Sequence, residues 1–156
     1  MPEGLHQVKL PLSIENVWDF VSVMDNWAPL VPGYIAHEII SETESTWEFI
    51  GDLGLLKKKI KMKVEITKWE EPKKVTFDLI GLNEKFKGNG YFSGTQIDGQ
   101  NTEMEGFLNI TAYGATAALT NGLLKSFVPQ TSTELTQAIA ESLIGTNGRK
   151  KEIRLR

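Results

Sequence analysis

The chain of 156 residues offers few side chains that could carry out acid–base, nucleophilic or metal chemistry. His6 and His37 are its only histidines, and it contains no cysteine. Neither histidine belongs to a cluster of Asp or Glu, so a transition metal would lack ligands. The absence of cysteine also excludes thiolate nucleophiles and disulfides. We therefore predict no catalytic residue, no metal site and no cofactor, which makes a binding protein a better expectation than an enzyme.

His37 is the titratable residue whose position points to a binding site. It alternates with Ile35 and Ile39, a period of two that predicts a strand with these three side chains on one face. Two interpretations remain open for it. His37 is either a polar residue near a pocket mouth or a helix end, or a polar anchor or acid–base group inside the pocket.

Four glycines lie on strand faces where core side chains are expected: Gly88, Gly90, Gly94 and Gly106. Glycine weakens a strand, so several on one face require a reason. One reason is curvature of the sheet. The other is room for an apolar ligand between the glycines and a covering helix. The residues expected to line such a cavity are Trp27, Val31, Ile35, His37, Trp47, Phe49, Met62, Phe77, Phe92, Met104, Leu108, Leu119, Leu123 and Phe127.

The elements that must position these residues are predicted from apolar periodicity. Residues 4–12 alternate as a first strand, and Ser13 then caps a helix. A second short helix begins at Asp25 or Asn26 and ends at Pro32-Gly33. Six period-two segments joined by short turns come next, which predicts an antiparallel meander.

Residues 115–144 carry apolar side chains at helical spacing, which predicts a helix of roughly 30 residues. Pro129 lies in its middle and should kink or break it, and the segment 131–134 could cap a second helical segment beyond the proline. The sheet has one apolar face that needs a cover. We therefore predict an α+β helix-grip fold, in which a curved seven-stranded antiparallel sheet wraps around a long C-terminal helix.

The net charge of −3 is unevenly distributed, because ten of the seventeen Lys and Arg residues form two clusters. With both clusters set aside the balance is clearly acidic, so we predict no nucleic-acid binding. The first cluster is either a solvated face paired with residues such as Glu48 or a weak docking patch for an anionic membrane or an acidic protein. The second cluster, in the basic C-terminal tail, has the same two interpretations: a solvated segment or a weak docking patch. The clusters are Lys57, Lys58, Lys59, Lys61, Lys63 and Arg149, Lys150, Lys151, Arg154, Arg156.

The first residues lack a signal-peptide pattern, and no apolar run approaches the roughly 18 residues that span a bilayer. We expect a cytoplasmic protein without a transmembrane segment. At this length a single domain is the default, here residues 1–146, with the basic tail at 147–156 after it.

Several short motifs together resemble those of a known superfamily. They are Val17-Trp18, Val31-Pro32-Gly33, Gly51-Asp52-Leu53-Gly54, the glycine-spaced strand at 88–94 and the Gly114 junction before the last helix. In this order and spacing the chain resembles the START and birch-pollen-allergen-like (SRPBCC) superfamily, and within it the CoxG family associated with carbon monoxide dehydrogenase. It departs from that family in having Tyr34 where a cysteine is common, and in Pro129.

The resemblance implies an apolar ligand pocket, so our first hypothesis is non-catalytic binding of a hydrophobic small molecule or lipid. Burial of apolar surface would drive binding at roughly 25 cal/mol per Å², with His37 or Tyr113 setting the orientation. The segment from Trp27 to Tyr34 is either a gate or a plug for one end of the sheet. The resemblance also implies two alternatives. These are an assembly or membrane-recruitment factor for a molybdenum hydroxylase, and an enzyme of the polyketide cyclase/dehydratase kind.

Overall fold

A computed structural model of the chain describes residues 2–52 and 57–154, with side chains described as far as residue 145. These residues form seven strands, three α-helices and one 3-10 turn. In chain order they are β1 (Glu3–Leu10), α1 (Ile14–Val21), α2 (Met24–Trp27), the 3-10 turn (Ala28–Leu30), β2 (Tyr34–Ile39), β3 (Glu44–Asp52), β4 (Lys57–Glu70), β5 (Lys74–Gly81), β6 (Phe86–Asp98), β7 (Asn101–Ala112) and α3 (Ala117–Arg154).

The seven strands form one antiparallel sheet in the order β1-β7-β6-β5-β4-β3-β2. Strands β2 to β7 form a meander. The last strand, β7, pairs with β1, which is the edge strand opposite β2. The helices α1 and α2 carry the chain from the β1 edge to the β2 edge. The predicted α+β helix-grip fold is confirmed.

Two short helical segments follow β1 as the sequence predicts, although α2 begins at Met24 rather than at Asp25 or Asn26. The Ser13 side chain accepts a bond from the backbone N–H of Asn16 at 3.4 Å and so caps α1. The 3-10 turn ends at Leu30, and the chain turns into β2 at Gly33, whose φ of +79° is suited to glycine. A Cβ at Gly33 would also collide with the carbonyl of Ile50. That glycine allows the chain to pass directly against β3 as it enters β2.

The prediction of a break at Pro129 is wrong, because α3 continues through that residue to Arg154. Ser132, in the segment expected to cap a second helix, instead contacts the sheet. The Ser132 hydroxyl donates to the Gly4 carbonyl at 3.0 Å. A Cβ on Gly4 would lie 2.5 Å from the Pro129 Cα, so β1 and α3 touch without an intervening side chain. These tertiary contacts hold the helix where local propensity favours a break.

The space above Gly90 and Gly106 is filled. A Cβ on Gly106 would collide with the hydroxyl of the buried Thr136 of α3. A Cβ on Gly90 would lie 2.5 Å from the Phe107 carbonyl and 2.8 Å from the Phe77 ring. These glycines therefore permit close approach of backbone and side chains, which fits the curvature interpretation. The expectation that they leave a cavity above them is not met.

Aromatic side chains close the α2 end of the sheet. The Trp27 ring is 1% exposed and lies 5.1 Å from the Trp47 ring and 4.9 Å from the Phe92 ring, measured between centroids. The Phe77 ring lies 5.8 Å from Trp27. The Trp27 indole N–H donates to the Val21 carbonyl at 3.0 Å, so its polar atom is satisfied inside the core. The segment around Trp27 thus plugs this end.

The close contact of β1 with α3 makes a direct prediction about two glycines. Gly4→Ala should lower the free energy of unfolding by about 1–3 kcal/mol, because its methyl group meets the Pro129 backbone. Gly122→Ala should raise it by up to about 1 kcal/mol, because Gly122 lies inside α3 with open space around it. Urea unfolding measures both values. Equal effects of the two variants would contradict the close contact.

Candidate functional site

A cavity of about 630 Å³ lies at the end of the sheet opposite the aromatic plug, beside the first turns of α3. This volume is within the range of small-molecule sites, roughly 300–1,000 Å³. It opens to solvent, since its lining includes Leu82 and Tyr113, which are 55% and 46% exposed. Its apolar wall consists of Phe49, Ile60, Phe86, Ile110, Leu124 and Phe127.

The cavity exists because β4 extends beyond β5. The pairing of these strands begins at Met62 and Gly81, so residues 57–61 of β4 have no partner in β5. The turn after β5 covers part of this edge. There the Asn83 side chain accepts from the Lys61 N–H at 2.9 Å and donates to the Lys59 carbonyl at 2.8 Å. This amide holds the turn against β4 and forms one side of the mouth.

A second amide fixes the opposite side of the mouth. The Asn121 side chain accepts from the Ala112 N–H at 2.8 Å and donates to the Ala112 carbonyl at 3.1 Å. It thereby ties the second turn of α3 to the end of β7. Between these elements Gly114 has a φ of +92°, which favours glycine. Sequence patterning missed both asparagines, because a single Asn in a turn or a helix carries no periodic signal.

The structure brings few of the predicted site residues to this cavity. Phe49 and Phe127 line it, and Tyr113, expected to set orientation, lies at its rim. Leu119 is 72% exposed on the outer side of α3, and Ile35 is 43% exposed where β2 is irregular between Tyr34 and Ala36. Another nine are outside the cavity lining, in or against the core or half-buried: Trp27, Val31, Trp47, Met62, Phe77, Phe92, Met104, Leu108 and Leu123.

His37 also lies outside the cavity lining, in a hydrogen-bonded row of three side chains. Its Nε2 lies 2.5 Å from Asp25 Oδ1, and its Nδ1 lies 2.6 Å from the Tyr34 hydroxyl. A carboxylate can only accept, so Nε2 carries the donated proton, and in a neutral ring Nδ1 accepts from Tyr34. The row joins α2 to β2. Neither Asp25 nor Tyr34 was singled out as a partner of His37 from sequence.

The lysines of β4 are paired with carboxylates on neighbouring elements. Lys58 lies 2.9 Å from Glu84, and Lys59 and Lys61 lie 3.5 and 3.7 Å from Glu48. Lys63 lies 3.6 Å from Glu44, and Lys57 lies 3.9 Å from Asp52. This arrangement matches the solvated, cross-strand-paired interpretation of the cluster. The side chains of the basic tail lie outside the described part of the chain.

Neither a membrane-spanning helix nor a metal-binding cluster is present among the described residues. Within residues 2–52 and 57–154, no helix is long and apolar enough to cross a bilayer. Nor do the described His, Asp and Glu side chains form any group of three that could hold a metal ion.

Solved structures share this fold at low sequence identity. A conserved protein from Geobacillus kaustophilus has a TM-score of 0.78 at 16% identity, over 92% of this chain and 96% of its own. A START superfamily protein from Mycobacterium smegmatis has a TM-score of 0.73 at 12% identity, over 92% and 98%. The Zhui aromatase/cyclase from Streptomyces sp. R1128 has a TM-score of 0.70 at 13% identity, over 99% and 95%.

A protein-family model matches residues 1–147, which is nearly the whole chain. The chain shares its fold with these START superfamily and aromatase/cyclase structures. None of the curated protein sequences matches it.

The position of His37 predicts that it supports the fold rather than a ligand. His37→Ala should lower the free energy of unfolding by about 1–2 kcal/mol, because it leaves the Tyr34 hydroxyl without its partner. It should leave the affinity for an apolar ligand within about twofold, since His37 is outside the cavity lining. Urea unfolding and ligand titration measure the two quantities. Lost binding with unchanged stability would make His37 a ligand anchor instead.

Proposed function

We propose that this START-like protein binds a hydrophobic small molecule in the cavity beside the first turns of α3. The observation that carries the proposal is the apolar wall formed by Phe49, Ile60, Phe86, Ile110, Leu124 and Phe127 around a space of about 630 Å³. An apolar ligand in this space removes its own surface and that of the wall from water. Each Å² removed contributes roughly 25 cal/mol.

The architecture supports a binding site that is formed before the ligand arrives. Leu124 is 6% exposed and Ile110 is 8% exposed, so the deepest part of the wall belongs to the protein core. Asn83 and Asn121 hold the two sides of the mouth through four hydrogen bonds to the backbone. A preformed wall lowers the ordering cost of binding.

Adjacent positions on α3 provide a sharp test. Thr120 lines the cavity, whereas Leu119 is 72% exposed and does not. Thr120→Trp should occupy the space and weaken binding of the neutral fluorophore N-phenyl-1-naphthylamine by about tenfold or more. Leu119→Trp should leave the affinity within about twofold. Fluorescence titration measures both, with circular dichroism confirming that each variant is folded.

Equal affinity of the Thr120→Trp variant and the unmodified protein would contradict this site. So would equal loss of affinity in both tryptophan variants, because that result would report a general effect of an indole on α3.

A cyclase-type enzyme is the second candidate, and the similarity to an aromatase/cyclase fold favours it. Groups able to transfer protons do line the cavity, namely Lys58, Glu84, Lys85 and Tyr113. This candidate predicts that Tyr113→Phe or Lys85→Met abolishes turnover of a poly-β-ketone substrate while retaining its binding. Mass spectrometry of the products would detect the turnover. An unchanged substrate in the presence of the unmodified protein would remove the candidate.

The recruitment role implied by the resemblance to the CoxG family remains a prediction. Each lysine of the β4 cluster has a carboxylate within 4.0 Å, which reduces the charge that β4 offers to an anionic membrane. That role would rest on the basic tail. Co-purification with a molybdenum hydroxylase, lost on removal of residues 147–156, would test it.

A further inference from the structure

Lys85 differs from the other lysine at the mouth of the cavity. The Lys58 ammonium is matched by Glu84 at 2.9 Å. Lys85 also lines the cavity, yet none of the described carboxylates pairs with it. The charged groups of the lining are therefore one matched pair and one additional cation. An apolar cavity with an unmatched positive charge at its mouth is complementary to an amphipathic anion.

The local backbone places Lys85 at this position. Its carbonyl accepts from the Tyr113 N–H at 3.0 Å, which joins the turn before β6 to the end of β7. Its side chain lies over Gly114, where a Cβ would be 3.0 Å from the Lys85 Cδ and 3.7 Å from its Nζ. Glycine at this junction thus leaves room for the lysine stem. Tyr113 and Thr116, which flank this junction in sequence, line the same cavity as Lys85.

We propose that the ligand is an amphipathic carboxylate, with an apolar body against the cavity wall and its anionic head beside Lys85. This inference rests on the proposed function and specifies its ligand class. A charged donor strengthens a hydrogen bond to a carboxylate. Tyr113 and Thr116 line the same cavity, and their hydroxyls are further hydrogen-bond donors for the head group. A neutral alcohol with the same apolar body would gain the burial of its chain but not the ionic contact.

Decanoate and 1-decanol, which share an alkyl body, separate the two contributions. Isothermal titration at about pH 8, where a carboxylic acid is ionised, should show decanoate binding about tenfold more tightly than 1-decanol. Lys85→Met should remove that difference by weakening decanoate alone. The matched control is Lys87→Met, since Lys87 is an exposed β6 residue outside the cavity lining and should leave both affinities unchanged. Added salt should weaken decanoate more than 1-decanol.

The outcomes distinguish this inference from the proposed function. Equal affinities of the two compounds in the unmodified protein, both abolished by Thr120→Trp, would contradict a carboxylate as the ligand. The same result would support the cavity as the binding site. A preference for decanoate that survives Lys85→Met would overturn the role of Lys85. Failure of both compounds to bind, or binding untouched by Thr120→Trp, would overturn the proposed function itself.

Discussion

The structure depends on one close contact, in which α3 lies directly against the backbone of β1 and β7. Gly4 faces Pro129, and Gly106 faces the buried Thr136, with no side chain of the sheet between them. The Ser132 hydroxyl adds a bond to the Gly4 carbonyl at 3.0 Å. Close packing of this kind tolerates little displacement, because any added atom must move an element. The contact therefore fixes where the helix crosses the sheet.

With the helix fixed near one edge of a curved sheet, the remaining concave surface must be covered in another way. At the α2 end, Trp27 and the aromatic rings around it fill the space, and the row from Asp25 through His37 to Tyr34 ties α2 to β2. At the other end β4 extends past β5, and the described side chains there leave the cavity open. The sealed end and the open end are consequences of the same geometry.

The open end has a distinct chemical character. Its wall is apolar, its rim is held by the amides of Asn83 and Asn121, and its charges are a Lys58–Glu84 pair and Lys85. Outside the cavity, the β4 lysines are matched by carboxylates across the strands. The charge that would meet a ligand is therefore concentrated at one lysine. This combination favours an amphipathic anion over a neutral lipid or a membrane surface.

The fold could be predicted from sequence because period-two and helical patterns report which face of each element is apolar. Ser13, Gly33 and the long last helix are examples in which residue type and spacing determine the local structure. The same patterns do not report how deeply a side chain is buried or how closely two elements approach each other. Leu119 continues the apolar stripe of α3 but is 72% exposed on the outer side of the helix, although Ala117 two residues earlier packs against the core.

The cavity could not be located from sequence for a related reason. Glycines on an inward face are compatible with either an empty space or a close contact, and only coordinates show that Gly106 meets Thr136. The rim depends on Asn83 and Asn121, whose partners are backbone groups distant in sequence. The continuity of α3 through Pro129 likewise depends on a tertiary contact with β1, which local propensity does not report.

Methyl-resolved nuclear magnetic resonance with added decanoate tests the location of the site most directly. Binding in the cavity beside α3 predicts shift changes at the methyl groups of Ile60, Ile110 and Leu124, with those of the buried Val75 and Ile139 unchanged. Saturating changes at Val75 and Ile139, with none at the other three, would place the ligand in the glycine-lined centre of the sheet and contradict this account.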